Sequence, residues 1–282
     1  MHYSPETASK PGMMVDMDLG LDGRVCVVTG ASSGIGLAVT CLLCHEGASV
    51  LMLARDPEQL NQAATRAREH GPGRIDTLAL DVVTSDAAGR IRTRCDQSLG
   101  PVEVLVNNAG TSFSRPLSQL SDTDWQNQWE LHVMAPLRLM RVLIPGMAEG
   151  GWGRVVNVSS ASGKRPSSTN VAYSVTKAAL LSLSRAFADT YASAGVLINA
   201  VAPGMVDTEL WSKDGGLADQ RAAAEGLTRE QVLSTQASRI PIGRFATPDE
   251  IASVIVFLCS QRASDVSGAA WSVDGGAVPV II

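Results

Sequence analysis

The chain has 282 residues, 45% of them apolar and 18% charged, with a net charge of −5. This composition is typical of a globular protein with a sizeable core, and the lack of any Lys/Arg block argues against nucleic acid as a partner. Apolar runs such as Ile251–Cys259 are far shorter than the roughly 20 residues that span a bilayer, so no membrane association is expected.

The N-terminal residues 1–20 mix Pro, Gly, Met and acidic residues without a basic or apolar block. This pattern predicts a flexible extension rather than a secretory signal. The five cysteines form no even framework, which favours free thiols in a reducing compartment and hence a cytoplasmic protein. Cys41-Leu-Leu-Cys44-His45 matches haem-attachment and redox patterns, but its mid-helix position lacks the context that either needs. No metal site is predicted.

Apolar runs rich in Val, Ile and Leu alternate along the chain with segments of helical periodicity. Repeated β-α units of this kind predict one α/β domain over residues 21–282, with a parallel sheet and right-handed crossovers. Caps at Asp56-Pro57 and Thr247-Pro248 support two helix starts, and Gly47 and Gly195 support two helix ends. Strands are predicted over Arg24–Thr29, Ser49–Ala54, Ile75–Asp81, Val102–Asn107, Arg154–Ser159, Val196–Val201 and Ala270–Val273. Helices are predicted over Ile35–Glu46, Pro57–Glu69, Ala87–Leu99, Trp125–Ala148, Ala172–Ala194 and Pro248–Ser260.

A glycine-rich turn follows the first strand and opens directly into a helix. Its residues are Thr29, Gly30, Ala31, Ser32, Ser33, Gly34, Ile35 and Gly36. Glycines allow the backbone to approach a pyrophosphate, and a helix N-terminus offers free N–H groups with a partial positive charge. The spacing predicts a dinucleotide site, although a tight strand-helix connection alone would show the same glycines.

The end of the second strand distinguishes NAD from NADP in dinucleotide-binding folds. Here Ala54 ends the strand and Arg55 follows, which favours NADP(H), with NAD(H) as the alternative; a merely solvated arginine would look the same. Asp56 stands near the distance expected of a ribose ligand, but its place before Pro57 favours helix capping.

Tyr173 and Lys177 stand four residues apart on a predicted helix, so both side chains project from one face. A nearby ammonium lowers the pKa of a phenol, which makes such a pair a general acid/base at neutral pH. The hydroxyl of Ser160, at the end of a strand, is placed to hold a substrate oxygen against that phenol. Alone, the Y-x-x-x-K spacing is weak, because many helices carry it on a solvated face.

Taken in order, these motifs resemble those of the short-chain dehydrogenases/reductases, 3-oxoacyl-[acyl-carrier-protein] reductases in particular. The resemblance covers residues 21 to 277. It rests on T-G-x-x-x-G-I-G at 29–36, N-N-A-G at 107–110, the Ser160/Tyr173/Lys177 set, Pro203-Gly204 and V-D-G-G at 273–276. It implies a Rossmann-type doubly wound domain with a seven-stranded parallel sheet, assembled as a homotetramer or homodimer. It also implies hydride transfer between a ketone and a secondary alcohol.

The resemblance assigns a role to each matching residue. Tyr173 acts as the general acid/base, Lys177 holds the nicotinamide ribose and lowers the phenol pKa, and Ser160 orients the substrate oxygen. The remaining expected cofactor contacts are Gly30, Ser32, Ser33, Gly34, Ile35, Gly36, Arg55, Asp81, Val82, Asn108, Ala109, Gly110, Pro203, Gly204, Val206 and Thr208.

One position departs from the family pattern. Seven residues after Trp125 the family usually has an asparagine linked to a water that serves the lysine, but this chain has His132. Histidine either relays protons near neutral pH or simply packs between helices.

Three segments are expected to set substrate specificity: the loop 111–116, the turn after Ser160, and an insert over residues 205–240. The insert is predicted as a substrate lid with a helix at Gln231–Ala237; a surface excursion without contacts would show the same pattern. Lys164 and Arg165 either receive an acidic carrier or are solvated loop charges.

The substrate is expected to be a 3-oxoacyl thioester or a small cyclic alcohol or diol. A non-catalytic dinucleotide sensor is the alternative from another class, and a haem or disulfide redox protein is a third. In the family that this chain resembles, the two long helices pair across a two-fold axis, so a homo-oligomer is expected. These helices carry apolar residues beyond those that one sheet face needs: Leu139, Val142, Leu143, Leu183, Phe187 and Tyr191.

Overall fold

The computed structural model describes residues 17–280, which form a seven-stranded parallel sheet with strand order β3-β2-β1-β4-β5-β6-β7. The predicted sheet is confirmed, with strand ends shifted by at most two residues. The strands are β1 (Val25–Thr29), β2 (Ser49–Ala54), β3 (Ile75–Ala79), β4 (Val104–Asn107), β5 (Gly153–Val158), β6 (Val196–Pro203) and β7 (Ala270–Val273).

The central strands are buried along their whole length because helices cover both faces of the sheet. Every residue of β1, β4 and β5 is buried, which explains the mainly apolar sequences of β1 and β4; β5 also buries the polar residues Arg154 and Asn157. β1 lies between β2 and β4, where Val27 pairs with Leu51 on one side and Leu105 on the other. The strand order reverses between β1 and β4, and in open α/β sheets ligands bind beyond the carboxyl ends of the strands at such a reversal.

The predicted helices are all present, and one of them is interrupted. The predicted helix Trp125–Ala148 consists of α4, a π-helical turn at Glu130–Met134, and α5. The helices are α1 (Gly34–His45), α2 (Pro57–Arg68), α3 (Ala87–Ser98), α4 (Asp122–Trp129), α5 (Ala135–Glu149), α6 (Ala161–Lys164), α7 (Val171–Tyr191), α8 (Glu209–Ser212), α9 (Leu217–Glu225), α10 (Arg229–Ser238) and α11 (Pro248–Cys259).

The predicted helix caps are confirmed. Asp56 accepts hydrogen bonds from the first-turn amides of α2, and Thr247 forms a reciprocal capping box at the start of α11. Gly47 and Gly195 adopt left-handed backbone angles, with φ of +80° and +79°, where the chain leaves a helix.

Two apolar layers lie on opposite faces of the sheet. One contains Val39 of α1, Leu60 of α2 and Ile251 of α11, and the other Ile91 of α3 and Leu139 of α5. The residues on which the oligomer prediction rests belong to the second layer, where Leu139 and Leu143 are fully buried. Leu139 and Leu143 are therefore used inside the subunit and are not available to a second copy.

The insert 205–240 folds into three helices, α8 to α10, where a single helix was predicted. It has an apolar cluster of its own around Trp211, Leu217 and Ala218. Arg229 ties the insert together through ion pairs with Asp219 and Asp214. The insert is therefore a packed unit, and its function as a substrate lid stays a prediction.

The stretch Asp122–Glu149 is long and apolar enough to cross a membrane by length and composition alone. Half of its most apolar window is buried inside this fold, as expected for the core helix of a soluble protein.

The predicted N-terminal extension falls largely outside the described residues. Within its described part, the carbonyl of Leu19 accepts a hydrogen bond from the Gln261 amide, and the carbonyl of Asp18 accepts one from Arg262. The division of the chain at residue 20 stays a prediction.

All five cysteines are free thiols, and only Cys41 is partly exposed. Cys44 donates to the carbonyls of Gly71 and Gly73, and burial raises the pKa of both Cys41 and Cys44. Thiols with raised pKa values are poor nucleophiles and metal ligands, which argues against a redox function.

Candidate active site

A cleft of about 1220 Å³ opens at the carboxyl ends of the central strands, where the strand order reverses. It brings together all the predicted site residues except Gly36, which lies behind the cleft wall. Motifs separated by more than 170 residues in the sequence therefore share one site.

The glycine-rich turn packs too tightly against its surroundings to admit side chains. A Cβ on Gly36 would lie 2.2 Å from the carbonyl oxygen of Gly30 and 2.5 Å from the Asn108 amide nitrogen. Gly30 has a φ of +65°, and a Cβ there would lie 3.0 Å from the Cα of Ala109. These glycines serve close backbone packing, which brings α1 up to the end of β1.

The N-terminus of α1 faces the cleft with its backbone donors available. Ser33 is the N-cap residue, and within residues 17–280 its side chain makes no capping hydrogen bond. Ser32, Ser33, Gly34 and Ile35 line the cleft at this helix end. An open helix N-terminus with flanking hydroxyls fits a phosphate group, so this end of the cleft suits a dinucleotide.

Asn108 supports the turn from the neighbouring strand end. Its side-chain amide donates to the carbonyls of Thr29 and Gly30, at 2.9 Å and 3.1 Å. The Thr29 hydroxyl accepts from the backbone amides of Asn108 and Ala109, both at 2.9 Å. These bonds fix the ends of β1 and β4 against each other and hold the glycine-rich turn in place.

Arg55 and Asp56 lie at the end of β2 on the cleft margin. Asp56 Oδ1 accepts from the amides of Glu58 and Gln59, so its carboxylate is used in capping α2, as predicted. Arg55 is exposed, and the described part of the chain gives it no ion-pair partner. Asp81 and Val82, beyond β3, complete this side of the cleft.

Tyr173 and Lys177 lie one turn apart on α7 and both face the cleft. The Lys177 ammonium nitrogen is 5.6 Å from the centre of the Tyr173 ring and donates to the Val158 carbonyl at 2.8 Å. Lys177 is 3% exposed, and burial lowers its pKa to about 7. A buried lysine in a cleft, with a pKa this far from its ordinary value, is typical of a functional group.

Burial raises the pKa of the Tyr173 phenol, while a hydrogen bond with the Ser160 hydroxyl opposes this rise. The expected direction for the phenol, a pKa lowered by Lys177, is therefore wrong for this structure. Desolvation by burial is the larger of these two effects on the pKa of the phenol. The phenol is consequently protonated at neutral pH and able to donate a proton.

Ser160 follows β5 and serves as the N-cap of α6, where its Oγ accepts from the Ser162 amide at 3.1 Å. It is 9% exposed and lines the cleft beside the Tyr173 phenol. Two hydroxyls are thus presented together at the point where a carbonyl oxygen would be held.

His132 is 1% exposed and lies in the π-helical turn between α4 and α5. Its Nε2 accepts from the Thr111 amide at 3.3 Å, so its Nδ1 carries the proton and donates to Thr176 Oγ1 at 3.0 Å. The ring packs edge-on against Tyr173, with centroids 5.2 Å apart. Burial and then Lys177 hold the pKa of His132 well below its ordinary value, so it stays neutral. This geometry favours packing over proton relay.

The segment after β6 closes the other side of the cleft. A Cβ on Gly204 would lie 2.8 Å from the Cα of Asp274, which ties Pro203-Gly204 to the V-D-G-G motif. A Cβ on Gly34 would lie 3.1 Å from a Thr208 methyl, so the start of the insert contacts the glycine-rich turn.

The three predicted specificity segments meet at one end of the cleft. The Ser114 amide donates to Gln220 Oε1 at 2.8 Å, and the Arg115 amide donates to the Thr169 carbonyl at 2.9 Å. Trp211 of the insert lines the cleft there.

Sequence reasoning missed three residues, of which Gln128 lines the cleft and Thr176 and Arg221 lie next to residues that do. Gln128, 3% exposed, lines the cleft and donates to Thr111; its Oε1 has no hydrogen-bond partner among residues 17–280. Its position four residues before His132 places it on the same helix face, and that spacing could have identified it. Thr176, whose Oγ1 accepts the hydrogen bond from His132, stands three residues after Tyr173 on α7. Arg221 lies in α9, whose alanine-rich sequence indicates a helix.

Comparison with known proteins identifies the family. Residues 24–216 match the family model for short chain dehydrogenases, and the chain belongs to this family. It is 34% identical to the 3-oxoacyl-[acyl-carrier-protein] reductase FabG of Thermotoga maritima, over 92% of this chain and 99% of the relative. It is 38% identical to cis-4-hydroxycyclohexanecarboxylate dehydrogenase of Sinomonas cyclohexanicum, over 90% and 96% of the two chains.

Among solved structures, L-sorbose reductase of Gluconobacter frateurii, complexed with NADPH and L-sorbose, superposes with a TM-score of 0.88. It is 37% identical, over 94% of this chain and 100% of that one. Family membership together with the assembled cleft makes the protein an NAD(P)-dependent oxidoreductase that acts on CH–OH groups of small molecules. The two alternative classes, a non-catalytic dinucleotide sensor and a haem or disulfide redox protein, are therefore rejected.

Proposed function

We propose that the protein reduces a small polar ketone to a secondary alcohol with NADPH, and catalyses the reverse reaction with NADP⁺. The observation that carries this proposal is the convergence of Ser160, Tyr173 and Lys177 in one cleft with the open N-terminus of α1. The nicotinamide supplies the hydride, and the protein supplies position and a proton.

In reduction, Tyr173 gives its phenolic proton to the carbonyl oxygen, which Ser160 holds by a second hydrogen bond. Burial keeps the phenol protonated, which suits a proton donor at neutral pH. Lys177, one turn further along α7 and also lining the cleft, would bind the nicotinamide ribose. The same raised phenol pKa predicts that alcohol oxidation, which needs the phenolate, quickens as the pH rises.

The preference for NADP(H) is supported by Arg55, an exposed cation on the cleft margin without an ion-pair partner in residues 17–280. Asp56 is committed to capping α2 and does not compete for a ribose hydroxyl. Binding of NADPH by the related L-sorbose reductase supports the same choice. NAD(H) remains the alternative cofactor.

The test is a screen of ketones and alcohols with all four nicotinamide dinucleotides, repeated with Tyr173→Phe and Lys177→Met. Loss of a general acid costs about 10²–10⁴-fold in rate, so Tyr173→Phe should abolish turnover while dinucleotide binding persists. Full activity in Tyr173→Phe, or absence of turnover with any dinucleotide in the unaltered protein, would refute the proposal.

A small polyhydroxy or cyclic ketone is the favoured substrate. The substrate end of the cleft is closed by the insert, with Trp211 on its wall only 9% exposed. The related sorbose reductase and hydroxycyclohexanecarboxylate dehydrogenase act on small molecules of this kind.

Reduction of a 3-oxoacyl thioester is the second candidate, and the 34% identity to an acyl-carrier-protein reductase favours it. Of the two cations weighed for carrier binding, Lys164 donates to the Ala270 carbonyl at 2.6 Å, whereas Arg165 is exposed. Turnover of an acyl-carrier-protein thioester should fall in high salt if Arg165 meets the acidic carrier, because salt screens exposed charges. Turnover of a small ketone should not fall in high salt.

A homo-oligomer is proposed here from two exposed apolar side chains, rather than from the six apolar residues named in the sequence analysis. Trp129 in α4 and Val175 in α7 are 40% and 42% exposed, and these two helices pack against each other. A second copy covering this face would bury both side chains. Size-exclusion with light scattering tests this proposal; a monomer at micromolar concentration would contradict it.

A cytoplasmic location is proposed from the free, mostly buried thiols, since a reducing compartment preserves them. Fractionation of cells expressing the tagged protein tests it, and recovery with membranes or from the medium would contradict it.

A further inference from the structure

Arg221 in α9 stands out from the other arginines of the insert. It is half-buried, its guanidinium lies 5.5 Å from the centre of the Trp211 ring, and it donates to Thr169 Oγ1 at 3.2 Å. A guanidinium group has five N–H donors, so these contacts leave most of its donors free for another acceptor.

Within residues 17–280, no carboxylate lies within ion-pair distance of Arg221. The charged groups that act on it are Glu225, one turn further along α9, and Arg239 at the end of α10. Arg229, in the same insert, differs: it pairs with both Asp219 and Asp214. Partial burial of an unpaired cation is unfavourable unless an anion compensates it.

Arg221 does not itself line the cleft in this structure, but it contacts Trp211, which does, and Thr169 next to the substrate end. Thr169 belongs to the turn after Ser160 and is held by the amide of Arg115, while the adjacent Gln220 holds the amide of Ser114. Trp211, which carries the guanidinium on its face, lines the same cleft as Ser160 and Tyr173. All three specificity segments therefore border this one cation.

We propose that Arg221 binds a carboxylate of the substrate, so that the preferred substrates are small oxo- and hydroxy-carboxylates. The inference rests on the proposed function and names its substrate class. A guanidinium fork binds a carboxylate through two parallel hydrogen bonds, and the indole face fixes the plane of the fork. Lys213, an exposed cation that lines the cleft directly, is the competing candidate for the same anion.

The test compares 4-oxocyclohexanecarboxylate with its uncharged carboxamide as substrates, with NADPH in excess. The variants are Arg221→Gln, Arg221→Lys and Lys213→Gln, with Arg92→Gln as the control on an exposed arginine of α3 outside the cleft. A hydrogen-bonded charge pair is worth roughly 1.5–3 kcal/mol, or about 10–150-fold. Arg221→Gln should therefore lower kcat/KM for the carboxylate about 10–150-fold more than for the carboxamide, mainly through KM. Arg221→Lys should recover part of this loss, and Arg92→Gln should leave kcat/KM for both substrates unchanged.

Equal losses for both substrates would show that Arg221 only holds the insert in place, and would overturn the proposal. A selective loss in Lys213→Gln instead would overturn it in favour of Lys213. Unaltered protein that reduces both substrates equally well would overturn the carboxylate inference while leaving the proposed function intact. Unaltered protein that reduces no ketone would remove the proposed function itself. Melting temperatures and NADPH affinities of the variants show whether each one folds.

Discussion

The nucleotide half of the cleft is held by backbone packed on backbone, whereas its substrate half is held by side-chain hydrogen bonds between separate segments. In the first, Gly36, Gly30 and Asn108 leave no room for an added methyl group. In the second, Gln220 and Arg221 join the insert to two loops through exposed or half-buried side chains. The first arrangement demands a fixed sequence, while the second tolerates changes that alter specificity.

The largest effect is expected in the nucleotide half, from Gly36→Ala. Its added methyl would overlap the Gly30 carbonyl oxygen, so α1 must shift away from β1. We expect destabilisation of about 3–5 kcal/mol, in the upper range for single substitutions, and loss of NADPH binding. Denaturant unfolding and dinucleotide titration measure both.

Gly89→Ala is the matched control, because within the described residues nothing lies within 4 Å of a Cβ added there. In the first turn of α3 this change should stabilise the protein by about 0.4–1 kcal/mol. Equal destabilisation by both substitutions would contradict the packing explanation.

Substitution of His132 tests the contact between the nucleotide half and the substrate half of the cleft. Replacing it with Ala removes hydrogen bonds to Thr111 and Thr176 and leaves buried groups unpaired, at about 1–3 kcal/mol. Since burial keeps His132 neutral in the fold, the unfolded chain binds the proton more readily, and stability falls as the pH drops below 6.5.

Thermal melts between pH 5 and 8 should show a smaller acid loss in His132→Asn than in the unaltered protein. Turnover that falls with His132 protonation near pH 6.5 would instead support proton relay, provided that this pH dependence is absent in His132→Asn.

Arg55→Ala should weaken NADPH binding about tenfold or more and leave NADH binding nearly unchanged, because a charge-assisted bond to the 2′-phosphate is lost. Fluorescence titration with both dinucleotides measures this. Equal weakening of the two would contradict the NADP(H) preference.

The smallest effect is expected from Asp219→Asn in the substrate half. It removes one of two carboxylates from Arg229 on the protein surface, where single ion pairs contribute little. The substrate KM should rise about two- to fivefold while NADPH affinity stays constant. A change in NADPH affinity would show that the halves are not independent.

The nucleotide half could be predicted well from the sequence because its motifs serve backbone packing, which needs particular residues at fixed spacing. Gly30, Gly36 and Asn108 are recognisable from the order and spacing of their motifs alone. The position of Asp56 directly before Pro57 likewise indicated a cap rather than a ribose ligand.

For the substrate half, the sequence predicted which part of the chain forms it but not the three helices into which that part folds. The helices α8 to α10 depend on an apolar cluster around Trp211 and on Arg229 pairing, which no local periodicity reveals. The π-helical turn at Glu130–Met134 was missed for a similar reason, since His132 is held by two residues distant in sequence. The phenol pKa had the wrong sign because burial cannot be read from spacing.

The most direct measurement follows deuterium from NADPH labelled at the reactive carbon of the nicotinamide ring into the product. The protein should form an alcohol carrying one deuterium on the former carbonyl carbon, from one of the two labelled stereoisomers only. Tyr173→Phe should bind the dinucleotide and form none. Unlabelled alcohol, or deuterated alcohol from Tyr173→Phe at the full rate, would contradict the assignment of this cleft.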